Sequence, residues 1–594
     1  MHPAEEYAAR LERLKAQENL LDERFRSIGN WRLITGLATA VLAWFVFARH
    51  SVPLWTLLIP VFVFAGLVAW HQRVIRRRAQ VSRAAAFYKE GLARVQDKWA
   101  GSGSTGDRFR NPAHVYSEDL DLFGRGGLFE LLSRARTAAG QDVLAAWLLA
   151  PALVDEAVQR QQAVQELSGN LQLREDLAIL AEDLKTEIDV NSLGAWGASA
   201  PVQFPDVLRF LAPLLAVSGI AAVIAFFGQR IPISALLGVL LCDALIIFPL
   251  RSRVRAVLSQ IESTGREIKI FSNIIRRLEQ EQFSSPLLKK MRRDLDVAGE
   301  PASRRIYQLG RLVDWLDSSD HTVVRILRPI VLWQEQLAMA FERWRSPSGK
   351  HVGAWVNAVA QFEALSSIAS LYYEKPDWKM PELLADMEAR FDAEAMKHPL
   401  LPSAECVPND LRLDSQQRML IVSGSNMSGK STLLRSTGLN TVLAWAGAPV
   451  AANRLRLSRL QTGASIRVND SLQDHRSRFF AEIMRLRQIM DVADTGQAVL
   501  FLLDEVLSGT NSHDRRVGAT AIVQGLLRTD AIGLITTHDL ALASIEGDVN
   551  TRIVNVHFEE RMDGTQMLFD YKLKPGIVTR SNALELMRAV GLNV

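Results

Sequence analysis

Four stretches of the chain carry almost no charge, and they fall into two pairs. Residues 33–48 lie between Arg32 and Arg49, and residues 54–70 follow the short RHSVP turn; the second pair covers 210–228 and 231–250, with only QR between them. Helices of about 17 to 25 residues cross the hydrocarbon of a bilayer, so three runs qualify, and the first does if Trp31 and Arg32 snorkel. Each pair therefore predicts a helical hairpin. The alternative is a set of helices buried in a soluble core, and the flanks argue against it. HQRVIRRR follows the first pair and RSRVR the second, whereas each turn holds a single arginine, Arg49 or Arg230. Positive residues gather on the cytoplasmic side, which places both termini and all bulk sequence there and predicts a multi-pass protein of the plasma (inner) membrane. No cleavable signal is evident, since the first apolar run begins at residue 33 and lacks an A-x-A exit. Asp243 stands alone in the fourth run, either on an ion pathway or packed against neighbouring helices.

Outside these runs the pattern is helical and then changes. A Gly/Ser turn, GSGSTGD, opens residues 101–205, and Leu128, Leu131, Leu132, Val143, Leu144, Trp147 and Leu148 follow a 3.6-residue rhythm. From 254 to about 393 the chain reads as long charged helices, as in REIKIFSNIIRRLEQEQ, which describes arms or levers. From about Asp410 onward short apolar runs (MLIVSG, AVLFLLDE, IGLITTH, TRIVNVHFEE) alternate with helical stretches, the pattern of an α/β sheet domain.

Composition adds bounds. At about 150 residues per domain, 594 residues predict about four domains. A hydrophobic share of 48% with 23% charged residues excludes a disordered polyampholyte. Lys and Arg exceed Asp and Glu by 69 to 65, a net charge of +4, too small to argue nucleic-acid binding by itself. Cys242 and Cys406 are the only cysteines, so neither a disulfide framework nor a Cys-rich metal site is available, and a reducing compartment fits. The mean hydropathy of +0.04 is then an average over apolar hairpins and a charged remainder.

The strongest motif is GSNMSGKST, formed by Gly424, Ser425, Asn426, Met427, Ser428, Gly429, Lys430, Ser431 and Thr432. It fits G-x-x-x-x-G-K-[ST], follows the apolar run MLIVS and precedes a helix-forming stretch, the strand–loop–helix context of a phosphate-binding loop. The glycines let the backbone wrap phosphates, and successive N–H groups with the helix N-terminus supply donors. Lys430 is expected to reach the β- and γ-phosphates of ATP, and Ser431 to ligate Mg²⁺. AVLFLLDE then ends a strand in Asp504, suited to the Mg²⁺ shell, and Glu505, suited to polarise the attacking water. His538, in LITTHD, is placed to contact the γ-phosphate or that water. The alternative for the acids is that they cap a strand.

These residues resemble the ATPase of the MutS DNA mismatch-repair family, within the ABC class. HPLL at 398–401, VPND at 407–410, the phosphate loop, the DE strand and TTHD occur in that family's order, as does the tail from NVHF through FDYKLKPG to AVGL. SRFFAE at 477–482 looks like the family's signature segment, with Asp470 and Leu472 like the preceding D-D-L. Gly509, Thr510 and Asp514 look like the loop after the catalytic Glu. The resemblance implies a homodimer through the ATPase domains, with Ser477 facing the γ-phosphate bound by the other subunit. It extends more weakly over residues 115–200 and 260–390 as a core-and-lever region. Three departures bear on rate and subunit coupling: the signature Gly is replaced near His475, Ser428 stands where Gly is usual, and Leu507-Ser508 replace a Gly-Arg pair. The expectation is therefore a variant without the family's N-terminal mismatch-reading domain and its Phe wedge, and without its C-terminal dimerisation helices.

The expected architecture is multidomain: a helical lever region with two transmembrane hairpins plus a C-terminal α/β P-loop ATPase domain of ABC type. Its boundaries are 1–100 (N-terminal helix and first hairpin), 101–205 (first part of core and lever), 206–252 (second hairpin), 253–390 (second part) and 391–594 (ATPase). The expected function is a membrane-anchored ATPase whose dimer closure moves levers, binding duplex DNA through faces such as KKMRR at 289–293. The other reading is a non-DNA machine acting on a membrane or an unidentified protein partner; an ABC transporter fits less well, because four spans make a small pore.

Overall fold

The computed structural model describes residues 2–181, 190–261, 265–297, 299–318, 325, 328, 330–385, 388–425, 427–467, 478–537, 552–563 and 566–577. Its first element is a 45-residue helix, Pro3–Phe47, which begins where Pro3 presets φ and the His2 ring accepts from Ala4 N–H. A short 3₁₀ turn, Leu54–Leu57, hands over to Leu58–Val95. At 1.5 Å per residue the first helix is about 68 Å long, roughly twice a bilayer's hydrocarbon. The apolar residues 33–48 and 54–70 form only about the distal third of this hairpin. There Leu33, Phe47, Phe62 and Trp70 are exposed, so these helices are not buried in a core. The proximal part is a polar stalk that docks through Tyr7, Leu11, Phe87 and Tyr88 against Leu171.

The second hairpin pairs Leu208–Phe227 with Ile233–Ile247 and runs on through Phe248–Leu250 into Arg251–Ser259. Along its first helix Ala212, Ala216, Gly219 and Ala222 are buried, whereas Phe210, Leu214 and Ile224 are exposed. Small residues at this spacing let the two helices approach closely and leave the bulky faces outward. Four helices in the described residues, two per hairpin, are long and apolar enough to cross a membrane.

A 42-residue helix, Trp333–Glu374, joins the parts. Its start packs near the second hairpin, where Met339 lies against Ala212, Ile247 and Leu332. Its end, Tyr373 and Glu374, meets the stalk of the first. Between them it buries Trp355, Phe362, Leu365 and Ile368 in the main core with helices Ala138–Leu149 and Val154–Gly169. Helix Val190–Ala198 comes so close that a Cβ on Gly349 would sit 2.4 Å from the Gly197 carbonyl oxygen. The rhythmic leucines of 128–148 lie on Leu128–Leu132 and Ala138–Leu149, and REIKIFSNIIRRLE lies on Gly265–Glu279.

Twelve strands are described. β1 (Asp296–Val297) and β2 (Glu300–Pro301) form a small ribbon. β3 (Glu382–Leu384), β4 (Phe391–Met396), β5 (Asn409–Leu413) and β7 (Arg454–Ser458) make a four-stranded sheet in the order β3-β7-β4-β5. β3 thus joins this sheet from ahead of residue 391, the expected start of the α/β part. β6 (Met419–Ser423), β8 (Gln461–Ser465), β9 (Val499–Leu503), β10 (Ala531–Thr537), β11 (Ile553–Asp563) and β12 (Gln566–Pro575) make a six-stranded sheet in the order β12-β11-β6-β10-β9-β8. All of its pairings are parallel except β11 with β12. Every residue of β6, β9 and β10 is buried, as expected of parallel strands covered on both faces. The apolar runs MLIVS, VLFLL and IGLITT occupy these three strands.

Candidate functional site

The site lies where β6, β9 and β10 end on the same edge of the sheet, in register with Met419 opposite Gly533 and Val499 opposite Ala531. β6 stops at Ser423, a six-residue turn follows, and helix Lys430–Ala446 begins. Gly424 (φ 149°) and Gly429 (φ 104°) take backbone angles closed to most side chains, and a Cβ on Gly424 would sit 2.7 Å from Ser428 Oγ. This is the physical reason the motif needs glycine at both ends. Ser428 Oγ is buried without a partner, an orphaned hydroxyl beneath the loop.

Lys430 is buried, and its ammonium donates to the carbonyls of Gly424 (2.9 Å) and Ser425 (2.8 Å). Burial lowers its pKa, opposed by the charges of Glu505, Asp504 and Glu560. The loop thus holds a cation at the end of a strand, next to backbone donors and facing carboxylates.

On the neighbouring strands, Thr536 of β10 donates to Asp504 and accepts from the Glu505 N–H at 3.0 Å, while Asp504 N–H donates to Ser465 of β8 at 2.9 Å. Thr536 therefore fixes both acids, a role the sequence reading did not assign it; its position in TTHD was the available signal. Glu505 (φ 47°) and Leu507 (φ 56°) are left-handed non-glycine residues, a strained backbone that turns the chain sharply after the strand. Arg515 holds that turn by donating to the carbonyls of Leu507, Ser508 and Thr510 at 3.1 to 3.3 Å, and the Leu507 N–H donates to Glu482. Glu482 belongs to the SRFFAE segment, so this segment and the loop after the acids are physically joined.

A cavity of about 470 Å³ opens here, with Ser425, Met427, Gly429, Lys430, Ser431 and Thr432 on one wall and Glu505 on another. Gly424, Ser428 and Asp504 are not among its lining residues. The structure thus brings the phosphate loop and the acidic pair together. Asn426, Ser477 and His538, and with them Asp470, Leu472 and His475, lie outside the described residues. The remaining walls include His398, Cys406, Asn409 and Tyr571, to which the sequence reading gave no site role. Their signal was faint: His398, Asn409 and Tyr571 sit in short family-like stretches (HPLL, VPND, FDYKLKPG) with no chemistry of their own, and Cys406 stands just before VPND. Burial, with Arg435 adding, pushes the His398 imidazole down to about 4, and its Nδ1 accepts from Leu400 N–H.

The helical region reaches this site through residues 115–122. Val115 accepts from Ala464 N–H on β8, and the buried Asp119 accepts from Ile466 and Arg467 N–H at 2.7 and 2.8 Å. Asp121 pairs with Arg467 (2.6 Å) and Arg435 (3.5 Å), the latter on the phosphate-loop helix.

Residues 420–593 match the family described as MutS domain V. A DNA mismatch repair protein MutS from Oleidesulfovibrio alaskensis is 31% identical over 204 residues, covering 33% of this chain and 22% of that protein. The chain thus spans about a fifth of that relative's length. Together these similarities support a MutS family relationship, and the family match over residues 420–593 takes in the phosphate loop and the acidic pair.

Proposed function

We propose that this protein is a membrane-anchored MutS-like ATPase in which nucleotide-driven closure of two ATPase domains moves helical levers. The observation that carries the reading is the shared cavity: the phosphate loop and Glu505 face one space of a size suited to a nucleotide. The residues fit Mg²⁺-ATP, since the glycine turn and the Lys430 ammonium suit an anion and the carboxylates of Asp504 and Glu505 supply oxygen donors. Ser431 and Asp504 would hold the Mg²⁺, which when bound neutralises charge that develops on the phosphates. Glu505 orients and deprotonates water, Lys430 holds the phosphates, and Thr536 keeps both acids aimed. His538 would assist at the γ-phosphate, and Ser477 would complete the site of a second subunit.

Replacing Glu505 by Gln tests the assignment. The variant is expected to bind ATP, to hydrolyse it at least about a hundredfold more slowly and to accumulate as a dimer in ATP. Normal turnover in this variant would refute Glu505 as the base.

For the output, the relative's name points to DNA and the KKMRR face offers phosphate contacts. Comparing ATPase rates with and without duplex DNA across a salt series decides it: a DNA role gives stimulation that fades as salt rises. One observation favours the second reading, a machine acting at the membrane. A single helix, Trp333–Glu374, touches both apolar hairpins and the core beneath the ATPase. On this reading the hairpins cross the plasma membrane and the ATPase lies in the cytoplasm.

A further inference from the structure

Below the second hairpin is a cavity that the ATPase cycle does not use. It measures about 690 Å³ and lies where the apolar helix Ile233–Ile247 gives way to Arg251–Ser259. Four arginines line it: Arg251 and Arg255 from the continuing helix, Arg325 and Arg328 from the stretch before Trp333. Among the described residues none of the four has a carboxylate within ion-pair distance. Arg251 lies over the Phe248 ring instead, 5.4 Å from its centroid. Neighbouring Arg253 is different, because it donates to the Gln203 carbonyl at 3.0 Å and does not line the cavity. Among the described residues the wall carries one acid, Glu335, against these four arginines, a net charge of about +3.

The upper wall is apolar and comes from Leu240, Ala244 and Ile247, which belong to the hairpin itself. Outward from it, Leu241, Leu245 and Phe248 are exposed. The cavity therefore grades from hydrocarbon-like to strongly cationic at the depth where a bilayer grades from acyl chain to headgroup. Guanidinium forks match phosphate oxygens in pairs, and a basic pocket at the cytoplasmic end of spanning helices suits an anionic headgroup.

We propose that this cavity binds an anionic phospholipid, its phosphate held by Arg251, Arg255, Arg325 and Arg328 and its acyl chains lying along Leu240, Ala244 and Ile247. A free phosphate or a nucleic-acid backbone would use the arginines alone; the apolar wall continuous with the hairpin is what selects a lipid. The proposal rests on the membrane reading above.

The test uses the full chain purified in detergent and native mass spectrometry with phosphatidylglycerol, phosphatidylcholine and soluble glycerol phosphate as probes. Phosphatidylglycerol is expected to bind well and the other two weakly. In a variant combining Arg251→Gln, Arg255→Gln and Arg328→Gln, affinity for phosphatidylglycerol should fall by about a hundredfold, the ordinary worth of three basic residues near an anionic surface. Glu335→Gln should raise it about fivefold, an effect in the opposite direction that misfolding does not mimic. Unchanged lipid affinity in the triple variant overturns the proposal. Equal binding of glycerol phosphate, or displacement of the lipid by duplex DNA, overturns the choice of a lipid. Release of the chain from membranes by carbonate without detergent brings down the membrane reading and the proposal with it, whereas a chain that still needs detergent but ignores the triple change loses the pocket alone.

Discussion

At the scale of single residues the site depends on a few side chains whose surroundings the fold sets. Lys430 is desolvated, which lowers its pKa, while the charges of Glu505, Asp504 and Glu560 oppose that loss of the cation. Lys430→Met removes a charge-assisted contact and should weaken nucleotide binding by about ten- to a hundredfold, read by titration with a fluorescent ATP analogue. His398 gives a pH signature. Its folded pKa of about 4 lies below the unfolded value of 6.5. Between the two the unfolded chain binds a proton that the folded chain refuses, so the stability contributed above pH 6.5 is lost as pH falls toward 4. Discounted for partial exposure, the loss is on the order of 2 kcal/mol. Unfolding midpoints of the native chain should drop more steeply over this range than those of His398→Gln; parallel profiles would remove His398 from the account.

Elements are joined by buried charge. At the foot of the first hairpin Glu374 is fully buried, takes Arg94 Nε at 2.6 Å and the Tyr7 hydroxyl at 3.2 Å, and lies 4.0 Å from Arg134. Burial and the nearby Arg94 push the Arg134 guanidinium down to about 10, a sign of how tightly cations crowd this acid. Glu374→Ala leaves Arg94 uncompensated and should cost about 3 to 5 kcal/mol, with faster hydrogen exchange at the stalk ends of Pro3–Phe47 and Leu58–Val95. The second junction is Asp119, which accepts two backbone N–H groups at the end of β8, just before the stretch that leads to Ser477. Asp119→Ala should lower ATP turnover severalfold while ATP binding is retained, because it loosens a connection to the catalytic edge and touches no loop residue. A parallel loss of binding would show that its role is structural only.

For the whole molecule, the arrangement is one long helix that packs near the second hairpin at its start and against the stalk of the first at its end. Its exposed leucines and phenylalanines make a concrete expectation. The chain should stay in membranes through salt and carbonate washes and leave only with detergent; extraction by carbonate would refute membrane crossing.

Much was legible in the sequence where the information is local. Apolar runs long enough for a bilayer, an arginine cluster at the end of each hairpin, and a glycine-bracketed Lys430 after a buried strand all depend on residues within a few turns of one another, and the strands MLIVS, VLFLL and IGLITT show as short apolar runs, whereas their order in the sheet, with IGLITT between the other two, does not. What the sequence left open depends on distance along the chain. It did not show that the first hairpin stands on a polar stalk, because residues 3–32 carry no apolar run and their anchor, Glu374, lies 280 positions from Arg94. Nor did it place Thr536 on Asp504, 32 positions away, or set Arg325 and Arg328 beside Arg251 and Arg255. Local chemistry therefore determined the motifs and the apolar spans. Tertiary packing alone decided which cations were buried with an acid, as at Arg94, and which gather around one cavity at the foot of a hairpin, because only packing sets desolvation and the identity of the nearest charges.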